Sequence, residues 1–232
     1  MATLLSLTAA IEGIIQDPSY TDLTDRINEA ALNICAGVRM PDGTTSPPMP
    51  ELMMSDTLAT TALAYVSLPN DYQRGLFYVS DSSGDRILPP EGGNYYSFML
   101  FMNHCYKKDL TETGSVSKVC VRGMRLYYQG IPEDSEDLVV MYYRIPGEMV
   151  DNDDEPSGIP DHLQSRLIKH WVCKEIFGEG LEDGAEAHGT GTAYHTEKFY
   201  AAMVDLIDYI GVDAEPEHYS LCNQYFECEE GY

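Results

Sequence analysis

At 232 residues, 44% of them hydrophobic, the chain is long enough to bury a core and has the composition of a globular protein rather than a disordered one. Its 14 Lys and Arg stand against 38 Asp and Glu, for a formal net charge of -24. A surface so acidic is repelled by phosphates and gains nothing from counterion release, which argues against DNA binding by affinity and against adhesion to an anionic membrane.

The chain opens with MATLLSLTAAIEGIIQD, in which Leu4, Leu7, Ile11 and Ile14 or Ile15 share one helical face. The stretch has no basic leader and Glu12 interrupts it, so it reads as an amphipathic helix rather than a signal peptide. Asp17-Pro18 ends it, because the residue before proline is driven out of the α region. Ser19 or Thr21 can cap a second helix, TDLTDRINEAALNICAGV, with Leu23, Ile27, Ala31 and Ile34 in register. Residues 39–50, RMPDGTTSPPMP, hold four prolines and a glycine and form an extended connector hostile to helix and central strand.

The next hundred residues change character. Leu58 to Leu68 is rich in Thr, Ala, Tyr and Val and ends in the turn LPNDY. GLFYV (75–79) and RILP (86–89) flank a Ser/Asp/Gly hairpin loop. NYYSFMLFMNHCY (94–106) suits either strand or helix. VSKVCVRG (116–123) and MRLYYQG (124–130) read as two strands around Gly123, and LVVMYYRIP (138–146) as the clearest strand, halted by Pro146. Together they form a small antiparallel sheet inserted between helices.

An acidic linker, VDNDDEPSG (150–158), leads into SGIPDHLQSRLIKHWVCKEIF (157–177). Leu163, Leu167 and Trp171, with Ile168, Val172 and Ile176, lay two apolar rows on one helical face; Pro160 and Asp161 suit its start, and Gly178 and Gly180 its end. This helix is expected at the centre of a core, with Trp171 in the stripe. A glycine-broken acidic loop precedes a last helix, TAYHTEKFYAAMVDLIDYIG, striped by Phe199, Met203, Leu206, Ile207 and Ile210. The fold class is therefore α+β: a bundle of about four helices, two N-terminal and two C-terminal, with an inserted small antiparallel β domain and an extended C-terminal tail. Residues 1–50 and 151–211 make the bundle, 51–150 the β-rich insertion and 212–232 the acidic tail.

The residues assign no catalytic group, metal or cofactor. His104, His162, His170, His188, His195 and His218 show no metal-ligand spacing. The six cysteines (Cys35, Cys105, Cys120, Cys173, Cys222, Cys228) lack the density of a secreted scaffold, and reduced thiols made in a cytoplasm account for them. Asp151 to Gly158 resembles a calcium loop but has Pro156 where glycine is needed and Leu163 where the bidentate glutamate belongs, so it reads as a solvated linker. Gly189-Thr190-Gly191-Thr192 lacks the lysine of a phosphate loop and reads as a flexible turn. No GxSxG nucleophile elbow is present. The tail is unusual in carrying six acidic residues and no Lys or Arg, yet also Tyr219, Tyr225, Phe226 and Tyr232, side chains of the kind that anchor interfaces.

The order of elements resembles the head-to-tail adaptor (connector, head-completion) proteins of tailed bacteriophages. The carrying residues are the opening helix ending in DPSYTDL, DRINEAALNIC, VSLPNDYQR (66–74), YYQGIPEDSEDLVVMYYRIP (127–146) and the 157–177 helix followed by a Phe-Met-Leu-Ile helix. The resemblance implies a structural virion protein of the neck at the portal vertex, synthesised in the host bacterial cytoplasm. It implies a homo-oligomeric ring, usually a dodecamer, between the portal protein and the tail tube, nozzle or stopper protein, through whose lumen double-stranded DNA passes without tight binding. No membrane partner is implied.

On this reading the tail (Tyr219, Tyr225, Phe226, Tyr232) docks on the portal or a neighbouring subunit, and the β-insertion loops meet tail-side partners. Arg166, Lys169, His170 and Lys174, a large share of a scarce basic supply, are the candidate subunit interface. Two alternatives are another neck protein, such as a nozzle or tail terminator, and a soluble metal-dependent enzyme built on the His188/His195 region.

Overall fold

The computed structural model describes residues 2–90, 93–104, 110–179 and 185–211. Its contacts divide the described residues into a helical unit, which includes residues 2–52, 145–179 and 185–211, and a β unit within Met53–Arg144. The α+β class holds, with five helices and antiparallel sheets among the described residues.

In the helical unit, α1 (Leu4–Ile15) starts in a capping box: the Thr3 hydroxyl accepts from the Ser6 N–H, and the Ser6 hydroxyl accepts from the Thr3 N–H. Leu4, Leu7, Ile11 and Ile15 are buried, so the 3.6-residue stripe turns inward as its spacing requires. In α2 (Leu23–Ala36) the buried set is Leu23, Ile27, Ala30, Ala31, Ile34 and Cys35. Neither Ser19 nor Thr21 caps it. Asp22 occupies the cap position with its carboxylate on Arg26 Nε rather than on a helix N–H, while the Asp17 carboxylate accepts from the Ser19 N–H and shapes the corner instead.

The spine is α4 (Asp161–Gly178), which packs against α1, α2 and α5 (Ala185–Ile210). Its buried row is Leu163, Gln164, Leu167, Ile168, Val172, Cys173 and Ile176. Trp171 is not in the core; it is half-buried at the margin, with the Lys174 ammonium 5.1 Å from its ring. A glutamine takes the place expected of an apolar residue. Gln164 is 2% exposed, accepts from the Ala2 N–H at 3.0 Å and donates to the carbonyls of Pro156 and Ile159 at 3.1 Å each. It ties the start of α1, the approach to α4 and α4 itself into one satisfied polar knot.

The linker 150–158 is more than a solvated spacer. Its acidic side chains are largely exposed, but its backbone closes the N-terminus of α1: Leu4 N–H donates to the Asp154 carbonyl and Leu5 N–H to that of Asn152. The Asp154 carboxylate accepts from the N–H groups of Val150 and Asp151, which holds the loop in shape and lowers that carboxyl's pKa. Asn28 of α2 clamps Met149 by both backbone groups at 2.9 Å, so Ile145–Val150 runs with the helices. The 39–50 connector is likewise not simply extended. Arg39 and Thr45 form an isolated bridge around a turn at Gly43, and a 3-10 turn at Pro50–Leu52 ends the segment.

The β unit contains two three-stranded antiparallel sheets rather than one. In the first, β1 (Met53–Ala59), β6 (Asp137–Arg144) and β3 (Tyr72–Ser80) lie in the order β1-β6-β3. In the second, β2 (Tyr65–Ser67), β5 (Arg125–Gln129) and β4 (Lys118–Arg122) lie in the order β2-β5-β4. Leu58, Val79, Leu138, Val140 and Tyr142 of the first sheet share a buried cluster with Val119, Val121, Leu126 and Tyr128 of the second, which makes a small sandwich. In the ambiguous 94–106 stretch, of which 105 and 106 lie outside the described residues, a helix forms: α3 (Phe98–His104) packs Phe101 and Phe98 against Cys120 and Tyr127 on the sandwich's outer face.

The arm RILP forms no strand. Only the Ser80–Arg86 bridge and the Ile87-to-Val79 bond follow the hairpin loop, because Pro89 and Pro90 supply no N–H to continue the ladder. The Gly189–Thr192 run is not a turn either; its backbone lies within α5. Glycine costs about 1 kcal/mol in a helix interior, which the strongly apolar C-terminal half of α5 outweighs.

Candidate assembly surfaces

The basic residues expected to form a subunit interface lie on α4, and they divide by environment. Arg166 is exposed, and its guanidinium donates to the Asp205 carboxylate of α5 at 2.7 Å, with both side chains about half accessible. Lys169 is half-buried. Lys174 turns inward to Glu175 and lies near the faces of Trp171 and Phe199, a cation–π arrangement that stabilises the α4–α5 pair. His170 is half-buried, and its Nδ1 stands 2.8 Å from the Nδ1 of His195 on α5.

That histidine pair is a half-buried polar contact between the two helices. Two facing Nδ1 atoms at hydrogen-bond distance need one proton between them, so one ring carries Nδ1–H and the other a lone pair. Burial pushes His170 down to about 4, and Lys169, the His195 ring, Arg166 and Lys198 add to the shift. Burial also lowers His195, with Lys169 contributing. Phe177 stacks on His195 at 5.4 Å, and Tyr194 stands edge-on to both rings. The arrangement holds two neutral imidazoles as a structural bridge. The His188 side chain lies outside the described residues, as do Tyr219, Tyr225, Phe226 and Tyr232.

Cys35 and Cys173 are free and buried, and desolvation pushes each thiol up to about 12, which leaves them inert at neutral pH. Beside Arg166, the outer side of α5 presents Tyr194, Lys198, Ala201, Asp205 and Tyr209, with Tyr194 52% and Tyr209 57% exposed. This mixed strip of aromatic and charged groups continues from Arg166 of α4. Among the described residues, no helix is long and apolar enough to cross a membrane.

The β-insertion loops are expected to meet tail-side partners with no residue singled out; among them the tip of the β4–β5 hairpin stands out. Arg122 and Arg125 are exposed there beside an open groove of about 660 Å³ lined by Ser67, Leu68, Asn70, Met124 and Tyr127. The signal was present as a local excess of basic residues, but it spans two short strands and no motif marks it.

No curated protein matches this sequence. The family described as SU10 adaptor protein matches residues 2–217, so the match takes in both units and runs past the end of α5. With nearly the whole length covered, the chain belongs to the SU10 adaptor protein family and is a structural adaptor protein of a bacteriophage.

Proposed function

We propose that the protein forms a ring at the neck of the virion, between the portal and the tail-side machinery, and lengthens the channel through which the genome leaves. The observation that carries this reading is the family match over residues 2–217, which spans both the helical unit and the β unit. The ring contacts run along the α4–α5 surface around Arg166, Lys169, Tyr194 and Tyr209, where exposed aromatic and charged groups alternate. The segment 212–232 carries anchoring aromatics to a neighbour or to the portal.

The charge fits the role. A conduit that bound phosphates would brake the DNA, and a net charge of -24 per chain makes the lumen repulsive. The same charge keeps free subunits apart until specific contacts outweigh repulsion. The test is negative-stain microscopy of the protein mixed with the portal of the same phage. Rings stacked on the portal are expected; subunits that remain dispersed at all concentrations would overturn the reading. In a ring reconstruction, a lumen lined mainly by Lys and Arg would overturn the charge argument.

A further inference from the structure

The β4–β5 hairpin carries a charge opposite to that of the chain. From Thr113 to Pro132 there is no Asp or Glu, whereas the average over the chain gives about three in such a length, and Lys118, Arg122 and Arg125 make the stretch positive. Arg122 and Arg125 are directly paired across the two strands at the Gly123-Met124 turn. Like charges placed opposite each other weaken strand pairing. Among the described residues, no carboxylate forms an ion pair with either one.

Both guanidinium groups are nevertheless held in position. Arg122 Cζ lies 4.6 Å from the Phe98 ring centroid and Arg125 Cζ 4.4 Å from that of Tyr65. A ring against one flat face leaves N–H edges for an anion, Arg125 sharing part of its edge with the Tyr127 hydroxyl, and such edges match a carboxylate two bonds at a time. Between them the groove offers Leu68, Met124 and Tyr127 as apolar floor and wall, with Met124 48% exposed.

We propose that this groove takes the acidic, aromatic segment 212–232 of a second copy of the chain. The charges are complementary: the segment has six acidic residues and no Lys or Arg, and its four aromatic side chains suit the apolar lining. Most of the remaining surface repels such a segment. Its 21 residues reach up to ~70 Å when extended, enough to leave one copy and enter the next. The proposal rests on the ring reading for the presence of neighbouring copies, and it names the partner of the segment that reading leaves open.

The test has two arms. A fluorescent peptide of residues 212–232 is titrated by anisotropy into the full-length protein and into the R122E/R125E variant. Binding to the wild type is expected, weakened at least about tenfold in the variant and by added salt. A peptide with its six acidic residues changed to Asn and Gln, which leaves the protein's fold untouched, is expected not to bind. Equal binding to both proteins, or binding of the neutral peptide, would overturn the proposal, as would a short DNA duplex that displaces the peptide. In the second arm a photo-crosslinking residue replaces Tyr225 in a tagged copy mixed with an untagged one. Adducts between copies within residues 65–70 or 122–127 are expected; adducts confined to one chain would overturn the assignment to a neighbour. Because the peptide arm needs neither ring nor portal, its failure leaves the ring reading standing. Peptide binding without rings on portals would overturn the ring reading alone.

Discussion

The Nδ1 atoms of His170 and His195 face each other at 2.8 Å across the α4–α5 contact, so the two rings share a single proton and hold opposite tautomers. Both pKa values lie below the ordinary histidine value, His170 at about 4. A depressed base favours the neutral form in the folded state, so the unfolded chain binds more protons as the pH falls. The stabilisation is therefore complete above about 6.5 and lost as the pH drops towards about 4. Lys169, Arg166 and Lys198 nearby raise the cost of a charge at this point. Long-range nitrogen–proton spectra should show one ring as the Nδ1–H and the other as the Nε2–H tautomer, and His170→Gln should flatten the loss of Tm between pH 6.5 and 4. Two rings of the same tautomer that titrate near 6.5 would refute the bridge.

Gln164 is a buried polar hub, and its loss should be expensive. Replacing it by Leu leaves the Ala2 N–H and the Pro156 and Ile159 carbonyls without the partners they have now. Unsatisfied buried groups cost about 1–3 kcal/mol each, relaxation and water entry recovering part of that, so Gln164→Leu should destabilise the protein by about 2–4 kcal/mol. Urea unfolding followed by circular dichroism measures it. A change below about 0.5 kcal/mol would mean the hub is incidental.

What the sequence made legible follows from how local the cause was. Leu4, Leu7 and Ile11 in α1, and Leu163, Leu167 and Val172 in α4, are buried as their spacing demands, because periodicity depends only on neighbours along the helix. Trp171 failed as a core residue because hydrophobicity does not reveal that its ring serves as a seat for Lys174. The split into two sheets was hidden because strand pairing is nonlocal: Tyr65 meets Tyr127, and Met53 meets Tyr143. The four basic residues of α4 were visible as a cluster, but only tertiary contacts separate inward-turned Lys174 from exposed Arg166. The Arg122/Arg125 seat needed Phe98 and Tyr65, which come from distant parts of the chain.

Two glycines at positive φ separate backbone strain from close packing. Gly84 (φ +88°) has open space where a Cβ would go, so Gly84→Ala should cost about 1 kcal/mol from conformation alone. Gly130 (φ +82°) ends β5, and a Cβ there would overlap the Ser115 carbonyl, a backbone group that cannot swing aside. Gly130→Ala should cost about 3 kcal/mol or more, because the segment after β5 has to move as well. Thermal melting of the two variants side by side checks the difference. Equal losses would show that the approach to Ser115 does not constrain the hairpin.

The α4–α5 surface can be separated from the fold by its own energetics. The Arg166–Asp205 pair is half exposed, and such pairs contribute about 0–1 kcal/mol to stability. Arg166→Ala should therefore melt close to the wild type. If Arg166 lies at the ring contact, the same change removes a donor from every copy of a repeated interface, and small losses multiply around the ring. Arg166→Glu should go further, since it sets a carboxylate against Asp205 and adds to an already repulsive charge of -24 per chain. Sedimentation velocity should show ring formation shifted to at least about tenfold higher protein concentration for Arg166→Glu while its circular dichroism stays native. The reversed pair, Arg166→Glu with Asp205→Arg, restores the intramolecular bridge and not the original pattern facing a neighbour. Recovery of rings in that double variant would assign Arg166 to stability within one chain; continued loss would assign it to the interface.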